Sequence, residues 1–297
     1  MAQKELIKGL MFMTLQNVVG LGKRQNDILF SVVANGDGSK QQVQGHDRSV
    51  RINGHVVFFP GDVQNFHKVM LSHSTDQRWT RWSYENTSAL LHRRFPNSYV
   101  WVIKPSRIHD KTFSCYDNFL SSTMFGAPAS FENFDGLLHL RHVLLAAISS
   151  VNTSPGSSLN IPPLSKDTPL TIVGFSKGCV VLNQFLHELE SAKTDTDVLE
   201  FLKLISAIYW LDAGHTLTSR VWITDEELLQ QLTELNVKVR VHVTPRQVRD
   251  PGRPHIGKEE RLFVDLLKSQ GADVEETLHF ADEERSMEQH FRVLEAF

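Results

Sequence analysis

Cysteine is scarce in this sequence: Cys115 and Cys179 are the two present among 297 residues. Two isolated cysteines are too few for a disulfide framework and lack the CxxC spacing of a zinc site. The longest apolar runs, such as residues 143–148 and 205–211, fall far short of the ~20 residues that a membrane-spanning helix requires. The chain, with a formal charge of -3, lacks the excess positive charge that is typical of nucleic-acid-binding proteins. The sequence therefore predicts a soluble protein with no transmembrane segment and no nucleic-acid partner.

A linker is also missing, since no stretch rich in Pro, Ser, Gly or charge divides the chain. Residues 26–297 are therefore expected to form one domain, preceded by an N-terminal extension over residues 1–25. The extension mixes basic and apolar residues but lacks the long apolar region of a secretory signal. It contains Glu5 and no Ser, which favours an amphipathic helix over a transit sequence.

Short apolar segments alternate along the chain with longer segments of helical period. The predicted strands are residues 28–33, 55–59, 99–103, 170–173, 205–211, 237–243 and 274–280, and the predicted helices are residues 79–94, 134–149, 177–190, 225–235, 258–269 and a short one from Phe291. This alternation is typical of an α/β fold, with a mostly parallel central sheet and helices on both faces. Residues 104–129 interrupt it and are expected to form a loop that acts as a lid or wall of the substrate site.

One motif stands between a predicted strand and a predicted helix: Gly174-Phe175-Ser176-Lys177-Gly178. A GxSxG sequence in this context predicts the nucleophile elbow of the α/β-hydrolase fold, with Ser176 as the catalytic nucleophile. The backbone N–H of Lys177, at the start of the following helix, is expected to donate to the oxyanion. A second donor is expected from the turn after residues 55–59, where Asp62 or Val63 could supply its N–H.

The base and the acid must follow the nucleophile, because the chain order in this fold is Ser, acid, His. His290 is the predicted base, since it comes just after the last strand, whereas His279 lies within that strand. Asp212, directly after the strand 205–211, is the preferred acid because a carboxylate there could orient the histidine. Asp250 follows the next strand and remains the alternative acid.

Three arginines, Arg246, Arg249 and Arg253, follow the strand 237–243. They could bind the anionic group of a substrate, such as a phosphate or a carboxylate, or they could form surface salt bridges. The sequence contains no pattern of metal ligands such as HExxH, so neither a metal nor an organic cofactor is expected.

Five stretches carry more specific information than the elbow: FFPGDVQNF, YVWVIKPSR, GFSKGCVVLNQ, WLDAGH and HVTPRQVRDPGRPHIGKEE. Together they resemble a little-characterised α/β-hydrolase-like family, typified by a human mitochondrial protein named for an open reading frame on chromosome two. The resemblance runs from about residue 27 to the end of the chain. It implies residence in the mitochondrial matrix and a role that supports respiratory function. A cytoplasmic location is the alternative if the N-terminus is not a transit sequence.

Taken together, these residues predict a serine hydrolase that cleaves a small-molecule ester or thioester through an acyl-enzyme on Ser176. Transfer of the acyl group to an acceptor other than water would use the same residues. The alternative from another class is a catalytically silent hydrolase-fold protein that acts as a binding or assembly factor, because a fold does not guarantee an activity. The sequence identifies no protein partner.

Overall fold

The computed structural model describes residues 3–7, 9–34, 52–74, 76–155, 157–215, 217 and 219–297. Its strands are β1 (Gln3–Ile7), β2 (Leu10–Val19), β3 (Gln25–Val33), β4 (Gly54–Phe59), β5 (Ser98–Ile103), β6 (Arg107–His109), β7 (Phe113–Cys115), β8 (Leu170–Phe175), β9 (Ile205–Leu211), β10 (Lys238–Val243) and β11 (Val274–Leu278). Its α-helices are α1 (His67–Leu71), α2 (Tyr84–Arg94), α3 (Gly136–Thr153), α4 (Cys179–His187), α5 (Leu189–Ala192), α6 (Thr196–Leu202), α7 (Glu226–Glu234), α8 (Pro245–Val248), α9 (Pro254–Ser269) and α10 (Met287–Ala296). Short 3₁₀ turns cover Gln77–Trp82 and Ser176–Gly178.

Nine of the strands form one sheet in the order β1-β2-β3-β5-β4-β8-β9-β10-β11. Six neighbouring strands of this sheet are parallel, namely β5, β4, β8, β9, β10 and β11. The other three, β1, β2 and β3, form an antiparallel edge. Parallel strands require crossover connections, and helices supply them on both faces. The protein therefore has the α/β-hydrolase fold that the sequence predicts, with β8 near the middle of the sheet.

The central strands are buried on both faces, which explains why they consist of continuous apolar runs rather than alternating ones. All six residues of β4 are buried, as are all six of β5. Val57 and Phe59 belong to the core cluster that contains α3, α4, α7 and α9 residues, whereas Val56 and Phe58 belong to the cluster that contains α2 and α10 residues. Two hydrophobic layers thus hold the carboxyl ends of β4, β8 and β9 in fixed relative positions.

The helix predicted for residues 1–25 is wrong, because Leu10–Val19 is a strand. This segment pairs antiparallel with β3, from Leu10 opposite Val33 to Val19 opposite Gln25, with a register shift in between. Its Met, Phe, Thr and Val side chains suit a pleated surface, and hydrogen bonding to a neighbouring strand outweighs the weak local helical propensity. The boundary expected after residue 25 falls inside the sheet, since β3 begins at Gln25.

Several helix boundaries also differ from the prediction, and local capping explains two of them. The helix predicted over residues 79–94 is divided by Ser83, whose hydroxyl accepts from the Asn86 N–H and caps α2. The last helix begins at Met287 rather than Phe291, because Ser286 and Gln289 form a reciprocal capping box. No helix in the described part of the chain is long and apolar enough to cross a membrane.

Candidate active site

Ser176 occupies a strained turn between β8 and α4. Its φ angle is +52°, a left-handed value that is uncommon for any residue other than glycine and that is typical of functional turns. A Cβ on Gly178 would collide with the Phe59 carbonyl oxygen, and a Cβ on Gly174 would lie 3.0 Å from the Cys179 Cα. The two glycines therefore let β8 and α4 pack closely enough to present the serine at the edge of the sheet.

His290 and Asp212 are hydrogen-bonded to each other. The His290 Nδ1 lies 2.7 Å from the Asp212 Oδ2, and a carboxylate can only accept, so Nδ1 carries the proton. Asp212 directly follows β9, is fully buried and has a φ of +47°. The Thr244 N–H donates to its Oδ1 at 2.7 Å, and the Thr244 hydroxyl donates to its Oδ2 at 2.8 Å. This arrangement leaves the Nε2 of His290 available for proton transfer.

Asp250, the alternative acid, lies in a different environment. Its carboxylate contacts Arg253 at 3.0 Å, Arg285 at 2.9 Å and Arg246 at 3.4 Å. Desolvation opposes ionisation of Asp250, but hydrogen bonds from Arg253, the Gly252 N–H and Arg285 outweigh it and lower its pKa to about 2. The structure therefore brings Asp212, and not Asp250, to His290. The other candidate base, His279, contacts a different residue: its Nε2 lies 2.9 Å from the Nδ1 of His242.

Ser176 and His290 line the same cavity, which has a volume of about 180 Å³. The Phe175 ring packs against the His290 ring with 4.8 Å between their centroids. Within the described residues, the Ser176 hydroxyl makes no hydrogen bond to His290, a situation common in unliganded sites, where catalytic hydrogen bonds tighten on substrate binding. The cavity is lined by Asp62, Val63, Ser176, Gly214, His215, Arg246, Gln247, Arg253, Met287, His290 and Phe291.

The turn after β4 lies directly against the serine. A Cβ on Gly61 would come within 2.8 Å of the Ser176 Cβ, so glycine is needed for this approach. The Val63 N–H donates to the Thr112 carbonyl at 2.8 Å and is not free to bind an oxyanion. The Asp62 N–H, by contrast, has no acceptor among the residues that the structure describes. Of the two donors expected from this turn, Asp62 is the one available, while Lys177 follows Ser176 directly in the 3₁₀ turn Ser176–Gly178.

The side chain of Lys177 is buried beneath residues 104–129. Only 1% of it is exposed, and its Nζ donates to the Phe125 carbonyl at 2.8 Å and lies 3.4 Å from the Asp62 Oδ2. Asp62 also accepts from the Ser114 N–H at 2.8 Å. Desolvation raises the pKa of Asp62 above its ordinary value, against the opposing charge of Lys177. The Lys177–Asp62 ion pair thus joins the elbow to the turn after β4, and the hydrogen bond from Ser114 connects Asp62 to β7.

The three arginines predicted as an anion site are separated in the fold. Arg246 and Arg253 line the cavity. Arg249 does not line it and donates to the Ala281 carbonyl at 2.9 Å. The sequence-based reasoning also missed two polar side chains: Thr244, which orients Asp212, and Gln247, which donates to the carbonyls of Asp212 and Ala213. Both follow β10 at the carboxyl edge of the sheet, and this position was the one available signal.

Comparisons with known proteins give one consistent family. A family model described as C2orf69 matches residues 14–167 and 161–273. The chain is similar to the mouse "Mitochondrial protein C2orf69 homolog", with 41% identity over 315 residues that cover 93% of this chain and 83% of the mouse protein. It is similar to the human "Mitochondrial protein C2orf69", with 39% identity over 329 residues that cover 95% of this chain and 86% of the human protein.

Among solved structures, the chain is similar to carboxyl esterase 2 of the fungus Tuber melanosporum, with a TM-score of 0.49, 10% identity and coverage of 98% of this chain and 87% of the esterase. An S-formylglutathione hydrolase from Agrobacterium tumefaciens aligns with a TM-score of 0.47 and 11% identity, and the alignment covers 99% of this chain and 95% of the hydrolase.

Proposed function

The chain belongs to the C2orf69 family, and we propose that it is a serine hydrolase that cleaves an ester or a thioester. The observation that carries this proposal is the hydrogen bond of 2.7 Å between His290 and the buried Asp212, on the wall of the cavity that also contains the strained Ser176. A histidine oriented in this way can accept a proton from a serine hydroxyl and stabilise the resulting charge through the carboxylate.

In the proposed reaction, the Oγ of Ser176 attacks the acyl carbonyl while the Nε2 of His290 takes the hydroxyl proton. The negative charge that develops on the carbonyl oxygen is stabilised by the N–H groups of Lys177 and Asp62. Collapse of the tetrahedral intermediate breaks the bond to the alkoxide or thiolate, which receives the proton from His290. Water then cleaves the acyl-enzyme by the same steps. An acyl acceptor other than water would turn the same chemistry into acyl transfer.

Residues 104–129 are proposed as a wall of this site. They contact the turn after β4 at several points, because the Ser114 hydroxyl donates to the Gly61 carbonyl at 2.9 Å and the Tyr116 hydroxyl donates to the Pro60 carbonyl at 2.6 Å. These bonds act on the backbone that presents the Asp62 N–H. The segment would therefore position the oxyanion donor as well as limit the space for the substrate.

We also propose that the protein resides in mitochondria, in the matrix, and supports respiratory function there. The mouse and human relatives are named mitochondrial proteins. Protease protection of the full-length protein in intact mitochondria, and again after rupture of the outer membrane, tests this location. Digestion before the inner membrane is opened would contradict matrix residence.

The decisive experiment is covalent labelling of the purified protein with a fluorophosphonate, which reacts with activated serines. We expect labelling of the wild type, no labelling of Ser176→Ala, and strongly slowed labelling of His290→Ala and Asp212→Asn. Asp250→Asn serves as the matched control, because Asp250 pairs with arginines rather than with His290, and it should label at close to the wild-type rate.

Circular dichroism of each variant must first show that it is folded. If the folded wild type does not react with the probe, the hydrolase proposal fails and a binding or assembly role replaces it. If Asp250→Asn slows labelling as much as Asp212→Asn does, the assignment of the acid is wrong.

A further inference from the structure

We infer that the substrate carries an anionic group, a carboxylate or a phosphate, which binds Arg246 and Arg253 beside the reacting carbonyl. The inference rests on the proposed function, because it assigns the chemical class of the substrate at the same site. Both side chains line the cavity that contains Ser176 and His290. Arginine suits this role because its planar guanidinium can donate two parallel hydrogen bonds to a carboxylate or a phosphate.

The charge balance around these arginines is positive. Three guanidinium groups, those of Arg246, Arg253 and Arg285, contact one carboxylate, that of Asp250. Asp250 is more strongly engaged by Arg253 and Arg285, at 3.0 and 2.9 Å, than by Arg246, at 3.4 Å. Asp212 is a second carboxylate that acts on Arg246, so the three guanidinium groups still outnumber the nearby carboxylates. A partly desolvated cluster with a net positive charge attracts an anion.

Arg246 is the member with the fewest partners. Its contact with Asp250 is its one hydrogen bond among the described residues, and 28% of its side chain is exposed. Desolvation and the neighbouring Arg253 lower the pKa of Arg246, and Asp250 and Asp212 oppose this effect. An anion in the cavity would supply the missing acceptor and relieve this repulsion.

The cavity also has apolar lining residues. Val63, Met287 and Phe291 are among them, and they offer contacts to a short acyl or alkyl group but no hydrogen bond from a side chain. Because Arg246 and Arg253 line the same cavity as Ser176, an anionic group that they bind would lie near the scissile carbonyl, on either the acyl part or the leaving group.

The first test measures anion binding without catalysis, in the Ser176→Ala protein, by titration calorimetry at constant ionic strength with chloride as the background anion. The probes are succinate and inorganic phosphate. We expect at least one to bind, and we expect Arg246→Gln or Arg253→Gln in the same background to weaken binding roughly ten- to hundredfold, the usual range for a lost charge-assisted hydrogen bond. The relative affinities of the two probes indicate which anion the site prefers.

Arg261→Gln is the matched control, because it removes one positive charge from an exposed position on α9. Its affinity for the probe should equal that of the parent. Absence of binding by both probes in the millimolar range, or equal weakening by Arg261→Gln, overturns the inference. This result does not depend on turnover, so it stands apart from the labelling of Ser176, which decides the hydrolase proposal.

The second test compares two substrates that differ by one methyl group, in the enzyme with an intact Ser176. One is p-nitrophenyl hydrogen glutarate, which has a free carboxylate, and the other is p-nitrophenyl methyl glutarate, which is neutral. We expect a higher kcat/KM for the anionic ester in the wild type, and we expect the ratio of the two kcat/KM values to fall towards one in Arg246→Gln. Equal rates for the two esters in the wild type would overturn the inference while leaving the hydrolase proposal intact.

Discussion

Thr244 holds the Asp212 carboxylate from two directions, with its N–H on one oxygen and its hydroxyl on the other. We predict that Thr244→Val slows fluorophosphonate labelling of Ser176 by about tenfold. Loss of one hydrogen bond to a buried carboxylate costs roughly 1–3 kcal/mol, and a rise of about 1.4 kcal/mol in the activation free energy slows a reaction tenfold. Valine has nearly the same shape as threonine and keeps the N–H. Thr244→Ser keeps the hydroxyl and should label at close to the wild-type rate.

If Thr244→Val and Thr244→Ser label equally fast, the hydroxyl does not orient Asp212 during the reaction. The labelling rate should be measured across a range of pH, because a lost hydrogen bond to the carboxylate that orients the base also shifts the midpoint of the pH profile of labelling. A mutation that merely loosens the fold would lower the folded fraction and leave this midpoint unchanged.

Chain order explains how much of the site could be predicted from the sequence. The sequence predicts Ser176, Asp212 and His290 because each follows a predicted strand and because they occur in the order of the hydrolase fold. The structure joins Asp212 to His290 by a hydrogen bond, although their catalytic roles remain predictions. Thr244 could not be identified, because a threonine after a strand gives no information about the direction of its side chain.

At the scale of the elements, residues 104–129 pack against the ion pair of Lys177 and Asp62, which bond to the Phe125 carbonyl and to the Ser114 N–H. Lys177→Met removes the donor to the Phe125 carbonyl and the counter-charge of Asp62. We predict a loss of about 2 kcal/mol in the free energy of unfolding, below the roughly 3–5 kcal/mol of a fully buried broken pair, because 26% of the Asp62 side chain is exposed. Chemical denaturation of this variant, of Asp62→Asn and of the double variant measures the coupling between the two residues.

The pH dependence of the Lys177→Met penalty has a definite sign. Burial already raises the pKa of Asp62, and Lys177 opposes this effect, so the variant raises that pKa further. A carboxyl with a raised pKa in the folded state favours folding as it becomes protonated, and the penalty should therefore shrink on acidification. If the double variant of Lys177→Met and Asp62→Asn loses as much free energy of unfolding as the two single variants together, Lys177 and Asp62 are not coupled.

The elements that the sequence predicted well are those whose apolar pattern repeats for several residues. The central strands are continuous apolar runs, and their burial on both faces makes the pattern clear. The errors occur where a neighbour decides the structure: β2 is a strand because β3 is available to pair with it, and β6 and β7 have three residues each. A run of three residues is too short to display a period.

For the whole molecule, stability against acid is governed by histidines that are buried in the neutral form. Desolvation lowers their pKa from 6.5 to about 4 for His55 and His92, and to about 3 for His139 and His242. His139 illustrates the reason, because the Leu21 N–H donates to its Nδ1 at 3.1 Å and its Nε2 lies 2.9 Å from the Asn26 Oδ1. A second proton would break the first of these bonds.

Glu260 responds to pH in the opposite direction. It is buried, its Oε1 has no hydrogen-bond partner in the described part of the chain, and desolvation raises its pKa from 4.5 to about 7. Between these two values the folded protein holds a proton that the unfolded chain has lost, so this group contributes stability that disappears as the pH rises. Fully expressed, a shift of this size corresponds to roughly 3 kcal/mol.

These opposing groups predict the pH profile of the whole protein and of one variant. Below pH 6.5 the four histidines bind protons in the unfolded chain but not in the folded protein. The free energy of unfolding should therefore fall steeply on acidification, by about 2 kcal/mol per histidine near pH 5.

Glu260→Gln should be more stable than the wild type above pH 7, where the carboxylate is charged in the fold. The same variant should lose stability more steeply on acidification, because it lacks the contribution of Glu260, which grows there. Urea denaturation at a series of pH values separates the two effects, and parallel profiles for wild type and Glu260→Gln would mean that Glu260 titrates normally in the folded protein.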